Sequence, residues 1–179
     1  SDGGIEITER GVCWSSTKVL PDITDSKTSD GTGSGSFESN LTGLSGNTTY
    51  YVRAYATNEQ GTGYGAAVQF KTGALPPTVT TAVINATSPY TAQGGGLVTG
   101  DGGSPVTSRG VCWSTSANPT VANSRTTDGG GTGSFVSSLG SLSPNTTYHV
   151  RAYAINAAGT AYGADREFTT DPLTVSDID

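Results

Sequence analysis

The sequence predicts an all-β protein built from two tandem copies of one sandwich domain. The hexapeptide RGVCWS occurs at 10–15 and again at 109–114, and NTTYYVRAYA at 47–56 returns as NTTYHVRAYA at 145–154. One unit therefore repeats about every 98 residues, which is the signature of tandem copies of one fold. Between these motifs, short alternating segments are separated by Gly, Asn, Asp and Pro, a pattern typical of sandwich strands rather than helices.

The alternating segments of the second copy predict its strands in chain order. They are expected at 78–85, 91–100, 106–115, 124–127, 133–139, 147–156 and 160–170. Pro76 and Pro77 precede the first strand, and because proline lacks a backbone donor they mark the linker. The second strand contains Gly94, Gly95 and Gly96, which weaken it because glycine has no side chain to pack. The RGVCWS motif lies in the third.

Period-2 alternation assigns the faces of the strands. A mid-strand arginine is costly to bury, so the face of 147–156 without Arg151 is expected to meet the core. This core face comprises Tyr148, Val150, Ala152 and Ala154. The same alternation places Trp113 inside and Cys112 outside. The expected core anchors of the two copies are Trp14, Trp113, Tyr50 and Tyr148.

The run Leu142-x-Pro144-x-Thr146-x-Tyr148-x-Val150-x-Ala152 resembles the corner and following strand of fibronectin type III domains. The fuller series of GVCWS, NPT, DGGGTGSF, SPNTTYHVRAYA and GTAYG resembles the fibronectin-III-like repeats of large secreted bacteroidete-type proteins. The resemblance covers nearly the whole chain. It implies two fibronectin-III-like β-sandwiches, an extracellular or cell-surface location, and a corner role for Tyr50 and Tyr148, whose hydroxyls would cap upstream backbone.

Alignment of the copies predicts the domain boundaries. The first domain is expected over 1–73, without counterparts of the first two strands, followed by a linker at 74–77 and a complete domain over 78–170. Residues 171–179 match the linker and first strand of a further repeat. Leu173, Thr174 and Val175 are therefore a candidate donor strand, which could enter the first domain of another copy and give head-to-tail filaments. The alternative is an excerpt of a longer continuous array.

The composition excludes several classes of function. Charged residues make up 13% of the chain and the net charge is -6, whereas nucleic-acid binding needs clustered Lys and Arg. No segment approaches the roughly 18 apolar residues of a membrane helix. Cys13 and Cys112 occupy equivalent positions in two domains, too far apart for an intrachain disulfide. Free thiols or bonds between chains are both open.

No catalytic constellation is evident, so we expect neither an enzyme nor a cofactor site. His149 is the only histidine and its counterpart is Tyr51, which leaves no set of the Ser-His-Asp kind. The glycine-rich segments 29–37 and 127–135 lack the Lys-Ser/Thr ending of a phosphate loop. Their aspartates are not paired as calcium requires, so no metal is expected. Asn40, Asn47, Asn85 and Asn145 lie in N-x-T sequons and are interpreted as turn residues, with glycosylation as the alternative in a eukaryotic secretory product.

One outward stripe in each copy alternates aromatic and cationic residues. The stripes comprise Tyr51, Arg53 and Tyr55 in the first copy, and His149, Arg151 and Tyr153 in the second. Arginine between rings can stack on them. The stripes are therefore a candidate contact surface for a neighbouring chain or a sugar, and the alternative is cross-strand cladding of an exposed sheet.

The predicted function is a structural segment of an extracellular bacterial surface fibre, stalk or adhesin. Its expected partners are other copies of the chain, neighbouring repeats, or a cell-surface glycan or protein. The alternative is a non-catalytic spacer or carbohydrate-binding module of a secreted glycan-degrading enzyme.

Overall fold

The computed structural model describes residues 4–174, and all regular structure within them is β-strand. The chain divides into two compact units, 1–73 and 74–179. The strands of the first unit are β1 (Glu9–Ser15), β2 (Ser26–Lys27), β3 (Thr49–Asn58), β4 (Gly61–Tyr64) and β5 (Val68–Lys71). Those of the second are β6 (Thr78–Thr81), β7 (Asn85–Ser88), β8 (Thr91–Gly100), β9 (Ser108–Ser114), β10 (Ser124–Arg125), β11 (Gly133–Leu139), β12 (Thr147–Asn156), β13 (Gly159–Tyr162) and β14 (Arg166–Thr169).

The second unit is a sandwich of two antiparallel sheets. One sheet has the order β10-β9-β12-β13, with β14 also paired to β12, and the other has the order β11-β8-β6, with β7 also paired to β8. The side chains between the sheets are almost wholly buried. They include Ile84, Val98, Val111, Phe135, Leu139, Leu142, Tyr148, Val150, Ala152, Ala154 and Phe168.

Gly96 of β8 lets the two sheets of the second unit approach each other closely, since a Cβ there would lie 2.7 Å from the Ala152 Cβ of the facing sheet. A Cβ at Gly95 would meet the Phe135 backbone carbonyl of the neighbouring strand β11. Real side chains do not tolerate such contacts, so the glycine run that weakens this strand in sequence terms is required by its packing.

Thr81 links the two sheets by hydrogen bonds at the edge of this sandwich. Its hydroxyl accepts a hydrogen bond from the Ala152 N–H at 3.0 Å and donates one to the Ala164 carbonyl at 2.6 Å. Its own carbonyl accepts from the Arg166 Nε at 2.9 Å. Because Thr81 and Ala152 are both buried, the hydroxyl satisfies a backbone donor that water does not reach.

The described part of the first unit, residues 4–73, contains a single sheet, ordered β2-β1-β3-β4 with β5 also paired to β3. These strands correspond to β10, β9, β12, β13 and β14 of the second unit. Residues 35–41, which align with β11, do not form a strand. The reason is that β11 pairs along its whole length with β8, and the described part of the first unit has no strand in that place.

Two expected strands of the second unit are interrupted. The predicted strand 78–85 is observed as β6 and β7, with the buried Ile84 between them. The predicted strand 160–170 is observed as β13 and β14, which flank Gly163. A Cβ at Gly163 would lie 2.4 Å from the Thr81 hydroxyl oxygen, so the break is where β6 crosses closest. The observed bounds of β8, β11 and β12 coincide with the predicted ones.

The expected core anchors behave in two ways. Tyr50 and Tyr148 are buried, and each hydroxyl accepts a hydrogen bond at 3.0 Å, from Ser45 N–H and Ser143 N–H respectively. These bonds are the corner geometry that the resemblance implied. Trp14 and Trp113 are only half-buried, and Trp113 packs against the margin of the core. An indole is large enough that it is seldom enclosed completely. The fully buried residue of that strand on the core face is Val111.

Candidate functional site

The face that carries the aromatic and cationic stripe is covered by a loop in each unit. We call residues 16–25 and 115–123 the covering loops; they join β1 to β2 and β9 to β10. In the first loop, Ile23 donates its N–H to the Tyr64 hydroxyl at 3.2 Å. In the second, Val121 makes the same bond to Tyr162 at 3.1 Å. Each sheet is therefore shielded on its outer side as well.

Tyr55 and Tyr153 were expected on the exposed contact surface, and this expectation is wrong. They are 2% and 1% exposed. Each hydroxyl lies 2.6 Å from a backbone carbonyl of the segment after the short edge strand, Thr28 and Thr126 respectively. A Cβ at Gly110, which pairs with Tyr153, would lie 2.5 Å from the Thr126 carbonyl oxygen. Because Gly110 of the RGVCWS motif has no side chain, the backbone at Thr126 can lie close to β9 and cover Tyr153.

The arginines of the stripe are also engaged inside each unit. Arg53 Nε donates to the Gly65 carbonyl and Arg151 Nε to the Gly163 carbonyl, both at 2.9 Å. Their guanidinium carbons lie 4.6 and 4.7 Å from the ring centroids of Tyr64 and Tyr162. The stacking expected for these arginines therefore occurs, but with rings of the neighbouring strand rather than with a partner.

The two cysteines are free and buried. Cys112 faces away from the main core, as predicted, but this outer face is not exposed to solvent. The covering loop encloses both thiols. Cys13 Sγ lies 3.4 Å from the Pro21 carbonyl and Cys112 Sγ 3.4 Å from the Pro119 carbonyl, to which they donate. Burial raises the pKa of the Cys112 thiol to about 11, and it raises the pKa of the Cys13 thiol too. Both are poor nucleophiles, because only the thiolate reacts.

His149 is half-buried and belongs to a cluster found in the second unit only. Its Nδ1 lies 3.0 Å from the Asp165 Oδ2, and its Nε2 lies 3.6 Å from the Glu167 Oε1. The Asp165 Oδ2 also accepts the N–H of Asn118 at 2.7 Å. The cluster therefore ties the covering loop to the last strand.

The first unit holds its covering loop by different means. It has Tyr51, Ala67 and Gln69 at the positions of His149, Asp165 and Glu167. Instead, Lys18 Nζ contacts the carboxylates of Asp22 at 2.5 Å and Asp25 at 3.1 Å. These ion pairs lie wholly within the covering loop and brace it internally, whereas the His149 cluster ties the covering loop of the second unit to the sheet.

The glycine-rich segments hold an arginine of their own chain. Arg109 Nη1 donates to the carbonyls of Gly131, Thr132 and Gly133, at 3.2, 2.8 and 3.3 Å. Arg10 reaches the Gly33 carbonyl at 3.1 Å. A guanidinium therefore occupies the carbonyl-rich space in which a cation would be sought.

The aspartate side chains of these segments accept hydrogen bonds from hydroxyl groups. The Asp128 Oδ2 accepts from Thr126 at 2.7 Å and Ser137 at 2.5 Å. Asp30 accepts from Thr28 and Ser39, both at 2.6 Å, and these bonds lower the pKa of its carboxyl. Over residues 4–174, no group of three or more His, Cys, Asp or Glu side chains is placed to hold a metal ion.

The candidate donor strand is only partly described. Leu173 and Thr174 follow β14 without regular structure, and Leu173 is 49% exposed. Val175 lies outside the described residues. In the described part of the chain, no helix is long and apolar enough to cross a membrane.

Comparison with known proteins gives matches among solved structures. No family model matches the chain, and no curated protein matches it. The chain is similar to the crystal structure of chicken CNTN1 FN1–FN3 domains at 17% sequence identity and a TM-score of 0.44. The similarity covers 91% of this chain, which spans only 56% of that one. The all-β fold class follows from the strands and sheets described above.

Proposed function

We propose that the chain is a structural segment of an extracellular bacterial surface fibre, stalk or adhesin, in which each unit acts as a spacer and none acts as an enzyme. The observation that supports this most directly is the repetition of the internal contacts. Four internal contacts occur in both units. They are the cysteine thiol with the covering loop, the buried tyrosine with the segment after the short edge strand, the arginine with the glycine-rich segment, and the aspartate with two hydroxyl groups. Side chains that make the same framework contacts twice serve the fold.

The connection between the units supports a spacer. In the second unit, Leu75 N–H donates to the Gly102 carbonyl at 2.8 Å, and Asn156 Nδ2 donates to the Leu75 carbonyl at 2.7 Å. In the first unit, Asn47 N–H donates to the Gly73 carbonyl at 2.9 Å. Each unit thus holds its own end of the connecting segment by hydrogen bonds. Pro76 and Pro77 follow Leu75 and restrict the backbone of this segment further.

An extracellular setting fits the side-chain chemistry. The low share of charged residues, 13%, leaves hydroxyl and amide groups as the main solvating groups. The candidate donor strand of Leu173, Thr174 and Val175 would join such segments head to tail, with other copies of the chain as partners.

Two measurements test this proposal. Single-molecule extension of the chain between two handles should show discrete unfolding forces, because a spacer must bear load. Extension of the second unit without a measurable unfolding force would contradict the spacer role. For head-to-tail joining, electron microscopy of the intact chain is compared with a variant that lacks residues 171–179. Filaments that disappear in the variant are expected, and monomers in both samples would rule out joining through the tail.

One observation favours the alternative of a carbohydrate-binding module. A surface depression of the first unit is lined by Trp14, Ser15, Asp25, Thr42 and Tyr50, which combines aromatic, hydroxyl and carboxylate groups. The stripes offer no comparable platform, since Tyr55 and Tyr153 are buried. Binding to a panel of neutral polysaccharides that is lost in Trp14→Ala would support the alternative.

A further inference from the structure

Strand β11 forms one edge of the sandwich of the second unit. In its sheet, ordered β11-β8-β6, it pairs with β8 on one side and with no strand on the other. Within residues 4–174, no segment other than β8 contributes a hydrogen bond to the backbone of 134–139. An edge strand directs a row of N–H and C=O groups away from its sheet. The free side of β11 therefore carries backbone groups that are able to pair with another strand.

The other outer strands of this unit have features that hinder pairing, and β11 has none of them. Short length, charged side chains and bulges are the usual means by which proteins protect a sheet edge. Strands β10, β13 and β14 have only two to four residues, and β6 and β7 both shift register against β8. Strand β11 has seven residues, without a charged residue or a proline. Its register against β8 is unbroken from Gly133 to Leu139.

The exposed face of β11 is symmetric about its central residue. Ser134, Val136 and Ser138 are exposed, whereas Phe135, Ser137 and Leu139 are buried. The exposed side chains therefore read Ser, Val, Ser in either direction along the strand. Because antiparallel pairing reverses one of the two strands, a second copy of β11 presents a matching row of side chains.

Val136 has no side chain opposite it in its own sheet. It pairs with Gly95 of β8, and the valine is 66% exposed. Leu97 lies diagonal to Val136 on the same face of the sheet and is 41% exposed. Apolar cross-strand pairs stabilise a sheet. The only position from which a strand could supply such a partner to Val136 is the free side of β11.

We propose that β11 is an interface between two copies of the chain, in which the two β11 strands pair antiparallel about a two-fold axis at Val136. Val136 of one copy then faces Val136 of the other, and Ser134 faces Ser138. The two sheets become one continuous sheet by strand addition, and the contact closes on itself as a dimer. This inference goes beyond the proposed function, because it joins segments side by side rather than end to end.

The first copy of the repeat differs at the residue that lies on this axis. Its segment 35–41 reads GSFESNL where β11 reads GSFVSSL, so Glu38 stands at the position of Val136. Two glutamates would meet at the axis, and like charges directly opposite each other destabilise a strand pair. The interface is therefore assigned to the second unit alone. The substitution that nature has made in the first copy also supplies the variant for the test.

Reversible association of the full chain is measured by sedimentation velocity over a wide range of protein concentration. We expect a monomer–dimer equilibrium whose dissociation constant rises about tenfold or more in Val136→Glu, because the variant removes an apolar pair and opposes two charges. Val83→Glu is the matched control. Val83 is 65% exposed and lies between β6 and β7, on the side of β8 away from β11. The same charge at that position should leave the dissociation constant unchanged.

Cysteine variants of the full chain test the register. In Val136→Cys the new thiols lie on facing residues, whose Cα atoms are about 4.5–5.5 Å apart in paired strands, within the range of a disulfide. In Ser134→Cys they are offset by four residues, or about 14 Å. With diamide as the oxidant, we expect a covalent dimer of Val136→Cys and none of Ser134→Cys. The double variant Ser134→Cys and Ser138→Cys should again give a dimer. The native Cys13 and Cys112 are buried and are present in every variant.

Three results would overturn the proposal. They are a chain that stays monomeric at every concentration, a dissociation constant that Val136→Glu changes no more than Val83→Glu does, and cross-linking of Ser134→Cys as readily as of Val136→Cys. None of them bears on the spacer role, because that role is judged by the unfolding force of a single chain. Joining through residues 171–179 is also tested separately, since all these variants keep the tail.

Discussion

Replacement of Thr81 by valine isolates the contribution of one hydroxyl to the second unit. Valine has nearly the same shape, so the change keeps the packing and removes the bridge between the Ala152 N–H and the Ala164 carbonyl. Ala152 is 0% exposed, and its N–H would be left buried without a partner. An unsatisfied buried backbone group costs about 1–3 kcal/mol. Ala164 is exposed, so its carbonyl can turn to water and adds little.

The expected loss is large enough to measure. For a domain of this size, 1 kcal/mol lowers Tm by about 4–8 °C, so we expect a fall on the order of 10 °C. The assay is thermal and urea unfolding followed by the fluorescence of Trp113, in a Trp14→Phe background that removes the signal of the first unit. Thr80→Val is the matched control, because Thr80 is exposed. If Thr81→Val unfolds at the same temperature and urea concentration as Thr80→Val, the Thr81 hydroxyl does not stabilise the sandwich.

Three further predictions concern the thiols, an ion pair and metals. Cys13 and Cys112 should resist a thiol reagent at pH 8 in the native chain and react at once in denaturant, because both are enclosed and burial raises the pKa of both thiols. Cys112, with a pKa of about 11, is roughly 0.1% ionised at pH 8; fast native labelling would contradict the enclosure of the thiols. Hydrogen bonds from Lys27 and Tyr55 hold the pKa of Glu9 below its ordinary value of 4.5, so its stabilising effect is present above that pH and is lost as pH falls through the lowered value. Urea unfolding should therefore separate wild type from Glu9→Gln at pH 7, and the difference in unfolding free energy should shrink as the pH falls below 4.5; a difference that does not shrink would refute this. Melting curves with and without a chelator should superimpose, and a fall in Tm of more than about 5 °C would reveal a metal worth about 1 kcal/mol.

The sequence predicted the strands well where alternation alone defines them, as in β8, β11 and β12. It failed where a second layer decides the outcome. Alternation showed correctly that Tyr153 and Cys112 face away from the main core, yet it carries no information on whether a loop covers that face. The signal that would have revealed the cover is Gly110, whose missing side chain admits the chain at Thr126.

The breaks in two strands also could not be predicted from the local sequence pattern. The interruption at Gly163 arises from the approach of Thr81, more than 80 residues away in the chain. Likewise, residues 35–41 have the alternation of a strand and lack the partner that would make them one. Local sequence sets what a segment can become, and a distant segment determines whether it does.

The arginines have a consequence for proteolysis. Each arginine of the chain donates to a backbone carbonyl of its own unit: Arg10, Arg53, Arg109, Arg125, Arg151 and Arg166. A trypsin-like protease must draw the arginine side chain into its specificity pocket and extend the backbone around it. At these positions it can do so only after the side chain has left its carbonyl, so cleavage follows the population of locally opened states. The order in which arginine sites are cut would thus map which part of each unit opens first.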